Sequence, residues 1–234
     1  MGSKKKKNSN YVTEKTIKAK LEADRAEKKK KSTRLALIIT AITLCVAGLA
    51  AVIVGIVIAV GNSNSQKFTA THHASITVKD YGTIHVELYG EEAPITVANF
   101  VELAGSGFYD GLKFHRIIDG FMAQGGKSAV SRDTIVGEFE ANGYENNILH
   151  QRGVISRARA NDYDSASTEF FIVQDTEGAE HLDGDYAAFG KVTDGMDIID
   201  KICENAKPYD NNGSILPADQ PVITSITIHA AHSH

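Results

Sequence analysis

Two stretches carry the side chains able to do chemistry: "FHRIIDGFMAQGG", Phe114 to Gly126, and "GVISRARANDYDSASTEFFIV", Gly153 to Val173. The first sets Arg116 and Gln124 among Phe114, Ile117, Ile118, Phe121 and Met122. A strand made only for a core has no use for a guanidinium, and a solvated loop has none for so many apolar side chains. Strand alternation places Phe114, Arg116 and Ile118 on one face and groups Met122 with Gln124. In the second stretch it puts Phe170 and Ile172 on one face, and Glu169, Phe171 and Val173 on the other. Phe171 then stands outside the interior as an aromatic platform. Such a surface grips an apolar group while donating hydrogen bonds. The competing reading is that these side chains only seal the outer wall of a sheet against a loop.

Other chemistries lack their signatures. There is no Gly-x-Ser-x-Gly elbow, no Cys-x-x-Cys pair and no His-Glu-x-x-His helix. "GSGFYDG", Gly105 to Gly111, follows a helical pattern instead of a strand, unlike a phosphate-binding loop. "NDYDSAS", Asn161 to Ser167, has acidic spacing without the glycine of a calcium loop and reads as solvated. His72, His73, His229, His232 and His234 read as a surface grouping and not as a metal site. No metal and no cofactor are expected.

The elements that must position these residues are mostly strands. "ASITVKDYGTIHVELY" gives two alternating runs around Asp80-Tyr81-Gly82, a hairpin. "APITVANFVELAGSGF" predicts a helix, with Pro94 in its first turn and Gly105 to stop it. Further strands are predicted at Lys113 to Ile118, Phe121 to Gln124, Gly153 to Arg157, Glu169 to Val173, Phe189 to Val192 and Val222 to His229. A second helix, "GMDIIDKICENA", falls between the last two. Many short strands with two helices far apart imply a mainly β fold, a closed antiparallel barrel capped by helices.

The N-terminal part has different surroundings. Of 25 Lys and Arg and 29 Asp and Glu, the first 34 residues hold 13 and 4, leaving 12 basic against 25 acidic side chains. At the break, Leu35 to Val60 runs for 26 residues without a charge, enough for one tilted transmembrane helix. A cleaved signal peptide has a shorter apolar region. "KKKK" at Lys4 to Lys7 and again at Lys28 to Lys31, against the uncharged "GNSNSQ" beyond, places the N-terminus in the cytoplasm. The expected organisation is a basic cytoplasmic arm (1–34), a membrane span (35–60), a linker (61–71) and an extracytoplasmic domain (72–234) of a single-pass cell-membrane protein. The arm suits anionic lipid and topology better than nucleic acid. Cys45 lies in the span and Cys203 far outside it, so the outer domain folds without an internal disulfide, as suits a bacterial cell-surface protein.

"FHRIIDGFMAQGG", "GVISRARA…STEFFIV" and "HLDGDYAAFGKVTDGMDIID", with "PITVANF" in its expected place, resemble the cyclophilin family of peptidyl-prolyl isomerases. The match is collinear from about Ala74 to Ile228. The resemblance implies an eight-stranded antiparallel barrel with two helices. It also implies an active face of Arg116, Phe121, Met122, Gln124, Ala158, Arg159, Phe171, Leu182 and Tyr186, with His115 nearby. Glu169 stands where glutamine is usual, Arg159 where asparagine is common, and Tyr186 where histidine is common. His181 replaces the tryptophan of cyclosporin-sensitive members, so cyclosporin binding is expected to be weak. Glu169 shares a face with Phe171 that adjoins Arg116 by resemblance. A carboxylate–guanidinium pair is therefore expected, with Glu169→Gln raising turnover several-fold.

The implied reaction explains the mixture of residues. An amide resists rotation by roughly 18–20 kcal/mol because its nitrogen lone pair is shared with the carbonyl. In the twisted transition state that pair is localised on the proline nitrogen, where Arg116 would bond to it more strongly than in either planar state. Phe121, Met122, Phe171 and Leu182 would hold the ring of a proline-containing polypeptide; Gln124 and the backbone at Arg159 would hold its carbonyl. A non-catalytic proline-peptide module, a surface chaperone or tether, would keep the same pocket, and only an enzyme accelerates exchange.

Overall fold

The computed structural model describes residues 68–230, together with Arg25 and residues 29–31. The expected membrane span, Leu35 to Val60, lies outside the described residues, as do His232 and His234. Among the described residues no helix is long and apolar enough to cross a membrane. The chain divides into two compact units, Met1–Gln66 and Lys67–His234. In the first, Arg25 and residues 29–31 are helical. In the second, Phe68 and Ala70, assigned to the linker by sequence, pack on the domain, with the Phe68 ring 5.3 Å from that of Tyr89.

Eight strands form one antiparallel sheet: β1 (His72–Val78), β2 (Gly82–Leu88), β3 (Phe114–Ile118), β4 (Met122–Gly125), β5 (Val154–Arg157), β6 (Phe170–Val173), β7 (Ala188–Asp194) and β8 (Ile223–Ala230). Their order is β3-β4-β6-β5-β7-β2-β1-β8. The expected closed barrel needs correction at its seam. The outer edge of β3 bonds mainly to the loop, through Ile117 N–H to the Gly213 carbonyl and Ile215 N–H to the His115 carbonyl. Closure against the start of β8 is left to Leu112–Phe114, through Phe114 N–H to Pro221 O and Ile223 N–H to Leu112 O.

Helix α1 (Pro94–Gly105) has proline in its first turn and no side-chain cap of its own. The fully buried Glu138 supplies one from a distance, accepting Ile95 N–H at 2.9 Å and Thr96 N–H at 2.7 Å. A carboxylate suits the positive end of the helix and satisfies donors that the helix cannot. The short α2 (Thr176–Ala179) was not foreseen; α3 (Met196–Glu204) buries Ile198, Ile199, Ile202 and Cys203.

Alternation sorts the sheet into two apolar layers. Phe114, Phe170, Ile172 and Phe189 fill the interior with Phe100 of α1. Met122, Phe171, Val173 and Leu182 form a second cluster, against which Phe121, Ala158 and Tyr186 pack. The functional residues gather on this second layer. Gly125 and Gly126 end β4 here for steric reasons. A Cβ on Gly125 would lie 3.0 Å from the Phe114 ring, and one on Gly126, whose φ is +82°, 2.8 Å from the Thr168 carbonyl.

Candidate active site

A β-bulge positions the central arginine. Phe114 pairs with Gly125 and Arg116 with Gln124, so His115 is an extra residue on β3. The bulge corrects simple alternation: Phe114 joins the interior, Arg116 does not, and the next inward residue is Ile117. Arg116 Nε donates to the Asn212 carbonyl at 2.8 Å, and Nη1 donates to Gln124 Oε1 at 3.3 Å. Its guanidinium carbon lies 5.9 Å from the centre of the Phe121 ring. Burial lowers the arginine's proton affinity, Tyr186 and Asp210 oppose this, and the group stays charged at neutral pH.

Arg116, Phe121, Met122, Gln124, Arg159, Phe171, His181, Leu182 and Tyr186 line one cavity of about 190 Å³. Three other expected site residues lie behind it. Ala158 packs on the second cluster and donates its N–H to the Glu169 carbonyl; His115 and Glu169 sit beyond Gln124. The Arg159 guanidinium stacks over Tyr186 at 4.5 Å and Tyr163 at 4.9 Å, while its Nε donates to the Asp185 carbonyl. A cation held over aromatic faces makes a rigid rim. His181 places its ring 5.4 Å from that of Phe121.

The expected platform, Phe171, is only 4% exposed. It lies nearly parallel to His150, 5.9 Å between ring centres and 17° between planes, and edge-on to Tyr186. His150 was missed by sequence reasoning; alone in "ILHQRG", it carries no pattern that marks it. Its Nδ1 bonds to Asp183 Oδ1 and its Nε2 to Ser156 Oγ, both at 3.0 Å. Burial lowers the His150 pKa against the opposing pull of Asp183, so the ring stays neutral. Ser156, His150 and Asp183 have the connectivity of a hydrolytic triad, yet Ser156 is 0% exposed and no acyl group reaches its Oγ. The chain serves to hold Phe171 in place.

The other sequence candidates do local structural work. Asp164 Oδ1 accepts from Gly137 N–H and Asn142 Nδ2, and Asp162 caps its own turn. Ser75 links His85 and His229 across neighbouring strands. Among the described residues no group of three or more His, Cys, Asp and Glu is placed to hold a metal ion.

A family profile described as "Cyclophilin type peptidyl-prolyl cis-trans isomerase/CLD" matches residues 73–232. The chain belongs to this family of peptidyl-prolyl isomerases. It is 40% identical over 168 residues to peptidyl-prolyl cis-trans isomerase A of Dickeya dadantii, covering 68% of this chain and 86% of the relative. It is 43% identical over 126 residues to peptidyl-prolyl cis-trans isomerase B of Bacillus subtilis, covering 52% and 83%. A cyclophilin-type isomerase from Cryptosporidium parvum superposes with a TM-score of 0.58 at 27% identity, covering 69% of this chain and 99% of that one. A second structure of the Cryptosporidium protein, in the presence of the dipeptide Ala-Pro, gives a TM-score of 0.56.

In this cyclophilin the expected ion pair between Glu169 and Arg116 does not form. Glu169 Oε2 instead accepts from Gln124 Nε2 at 2.8 Å and His115 Nε2 at 3.2 Å, and only Gln124 reaches Arg116. The bulge is the reason: it turns two consecutive side chains, His115 and Arg116, to the same polar cluster, and the nearer imidazole takes the carboxylate. Burial pushes the Glu169 pKa up; bonds from His115 and Gln124, with the charges of His115 and Lys127, outweigh it and hold the carboxyl below its ordinary value. An acceptor-only carboxylate fixes the Gln124 amide with its oxygen toward Arg116, whereas a glutamine would accept either orientation.

Glu169→Gln is therefore expected to lower turnover roughly two- to fivefold, the scale of one neutral hydrogen bond left unfixed, and not to raise it. Because the folded carboxyl is the more acidic one, its stabilisation is complete above the ordinary value of 4.5 and is lost as pH falls through the folded pKa. Thermal melts of parent and Glu169→Gln between pH 3 and 7 check this. Parallel pH profiles for the two proteins would contradict it.

Proposed function

We propose that this isomerase accelerates rotation about X-Pro bonds by stabilising the twisted amide with Arg116, in proteins that fold outside the membrane. The observation that carries the mechanism is the anchoring of the guanidinium. Nε is engaged by Asn212 and Nη1 by Gln124 and the Met122 sulfur, while among the described residues no hydrogen bond occupies Nη2. A preoriented donor that meets charge only as it develops lowers a barrier without tightening the ground state. Phe121, Met122 and Leu182, over Phe171, would close on the pyrrolidine ring. The second hydrogen on Gln124 Nε2 and the Arg159 backbone N–H would hold the carbonyl before proline.

Exchange spectroscopy on an Ala-Pro peptide tests the reading. Acceleration well beyond the uncatalysed exchange, which takes tens of seconds or longer, is expected. Binding without acceleration would instead favour a peptide-binding module. Glu169 is the observation on that side, since it draws on the Gln124 donor.

The location is proposed from the chain's own pattern. Residues 35–60 carry no charge and the lysine runs precede them, which supports a retained, single-pass bacterial anchor with the domain outside. Protease added to intact cells should remove the domain beyond Gly61 and spare the lysine-rich arm. Protection of the domain, or a mature protein beginning near Asn62, would overturn the assignment.

A further inference from the structure

The larger cavity near β3 is not the one that Arg116 lines. Beyond His115, the edge of β3 and the loop around Ser214 to Gln220 enclose about 510 Å³, against about 190 Å³ at Arg116. That volume falls within the range of small-ligand and short-peptide sites. The cavity is built and not a gap between loose loops. Ile215 N–H donates to the His115 carbonyl at 3.0 Å, and Gln220 Nε2 to the Ile215 carbonyl at 2.7 Å.

Its chemistry is the reverse of the domain around it. Lys113 and Lys127 line it and no Asp or Glu does, although the residues after Arg34 carry 25 acidic side chains against 12 basic ones. Of the neighbouring carboxylates, Glu169 is engaged by His115 and Gln124, and Asp210 by the N–H groups of Asn212 and Ser214, while Asp110 and Asp219 adjoin the lining residues Gly111 and Gln220 in sequence. Lys113 Nζ donates to the Pro217 carbonyl at 2.8 Å, which fixes the ammonium and leaves two of its three donors without a partner among the described residues. On the rim stand Tyr209, 63% exposed, and Leu216, 50% exposed, both large apolar side chains in water.

A fixed cation beside two exposed apolar side chains fits a ligand with both carboxylates and an apolar side chain. We propose that this cavity binds an extended acidic peptide segment, its carboxylates on Lys113 and Lys127 and a leucine-sized side chain against Tyr209 and Leu216. No residue lines both this cavity and the Arg116 pocket, so the inference stands or falls apart from the isomerase mechanism.

The test is fluorescence anisotropy of the full chain with labelled, proline-free acetyl-Glu-Leu-Glu-Leu-amide and its Gln-Leu-Gln-Leu counterpart. The acidic peptide should bind about five- to tenfold more tightly, the scale of two partly screened ion pairs. The doubly substituted Lys113→Gln, Lys127→Gln chain should lose that preference, and Leu216→Ser should weaken both peptides. Excess Ala-Pro peptide should displace neither. Four results would each overturn the proposal: no binding, equal binding of the two peptides, a preference that survives the double substitution, or displacement by Ala-Pro. Full displacement by inorganic phosphate at millimolar concentration would reduce the cavity to a simple anion site and also overturn it.

Discussion

Arg116→Ala should leave the domain folded and slow catalysed Ala-Pro exchange by about 10²–10³-fold, the usual cost of removing one preorganised transition-state donor. The fold should survive because Arg116 lies outside the interior cluster. Its structural bonds are the ones to Asn212 and Gln124 at the seam. Losing the Asn212 contact costs about 0.5–1.5 kcal/mol, within the stability of a domain this size. Arg116→Lys separates charge from geometry. Lysine keeps a positive charge but has no rigid fork with which to bond Asn212, Gln124 and substrate together. An intermediate rate is therefore expected, with KM changed less than kcat, since the missing interaction strengthens in the transition state. If Arg116→Ala exchanges Ala-Pro within threefold of the parent, the arginine mechanism is wrong even if the isomerase activity stands.

The strands were legible as short alternating or apolar runs bounded by turn residues. Val154–Arg157 and Phe170–Val173 fall within one residue of their predicted limits. The second helix was legible in "GMDIIDKICENA", and the structure buries its Ile198, Ile199, Ile202 and Cys203. The seam was not. Whether β3 meets β8 or the Gly213–Ile215 loop depends on hydrogen bonds between segments about 100 residues apart, which no local pattern records. Collinear motifs brought Arg116, Gln124, Phe171 and Leu182 to one pocket. Glu169 was paired with Arg116 by resemblance, which records which face a residue joins but not that the bulge at His115 brings an imidazole to that face first. His150 and Glu138 were invisible for a related reason: a single buried polar residue is defined by what it meets in space, here Asp183 with Ser156, and the start of α1.

Arg157 is the largest of these hidden terms. It ends β5 at 1% exposure, in the same "SRARA" run as Ala158 and Arg159. Nη1 donates to Tyr109 Oη at 3.1 Å and to the Thr168 carbonyl at 3.0 Å, and Nη2 donates to Asn99 Oδ1. The guanidinium lies 5.7 Å from the Phe100 ring centre and 5.5 Å from that of Phe189. Among the described residues no carboxylate is its partner. Its charge is compensated by carbonyl and hydroxyl oxygens and by two ring faces, and its Nε, buried, has no hydrogen-bond partner among the described residues. Arg157→Ala would open a cavity between α1 and β7 and leave the Thr168 carbonyl with Tyr109 as its remaining donor. Both effects destabilise, together by about 3–5 kcal/mol on the scale of large-to-alanine core changes. For a domain of this length that lowers Tm by roughly 6–20 °C. Arg157→Met, which refills the volume without the donors, should lose about 1–3 kcal/mol, so the difference between the two variants isolates the cavity. Catalysis should weaken too, because Thr168 precedes Glu169, whose carbonyl accepts Ala158 N–H and whose carboxylate sets Gln124. Calorimetry of the three proteins decides the matter: an Arg157→Ala Tm within 2 °C of the parent would show that the buried charge costs as much as its contacts return.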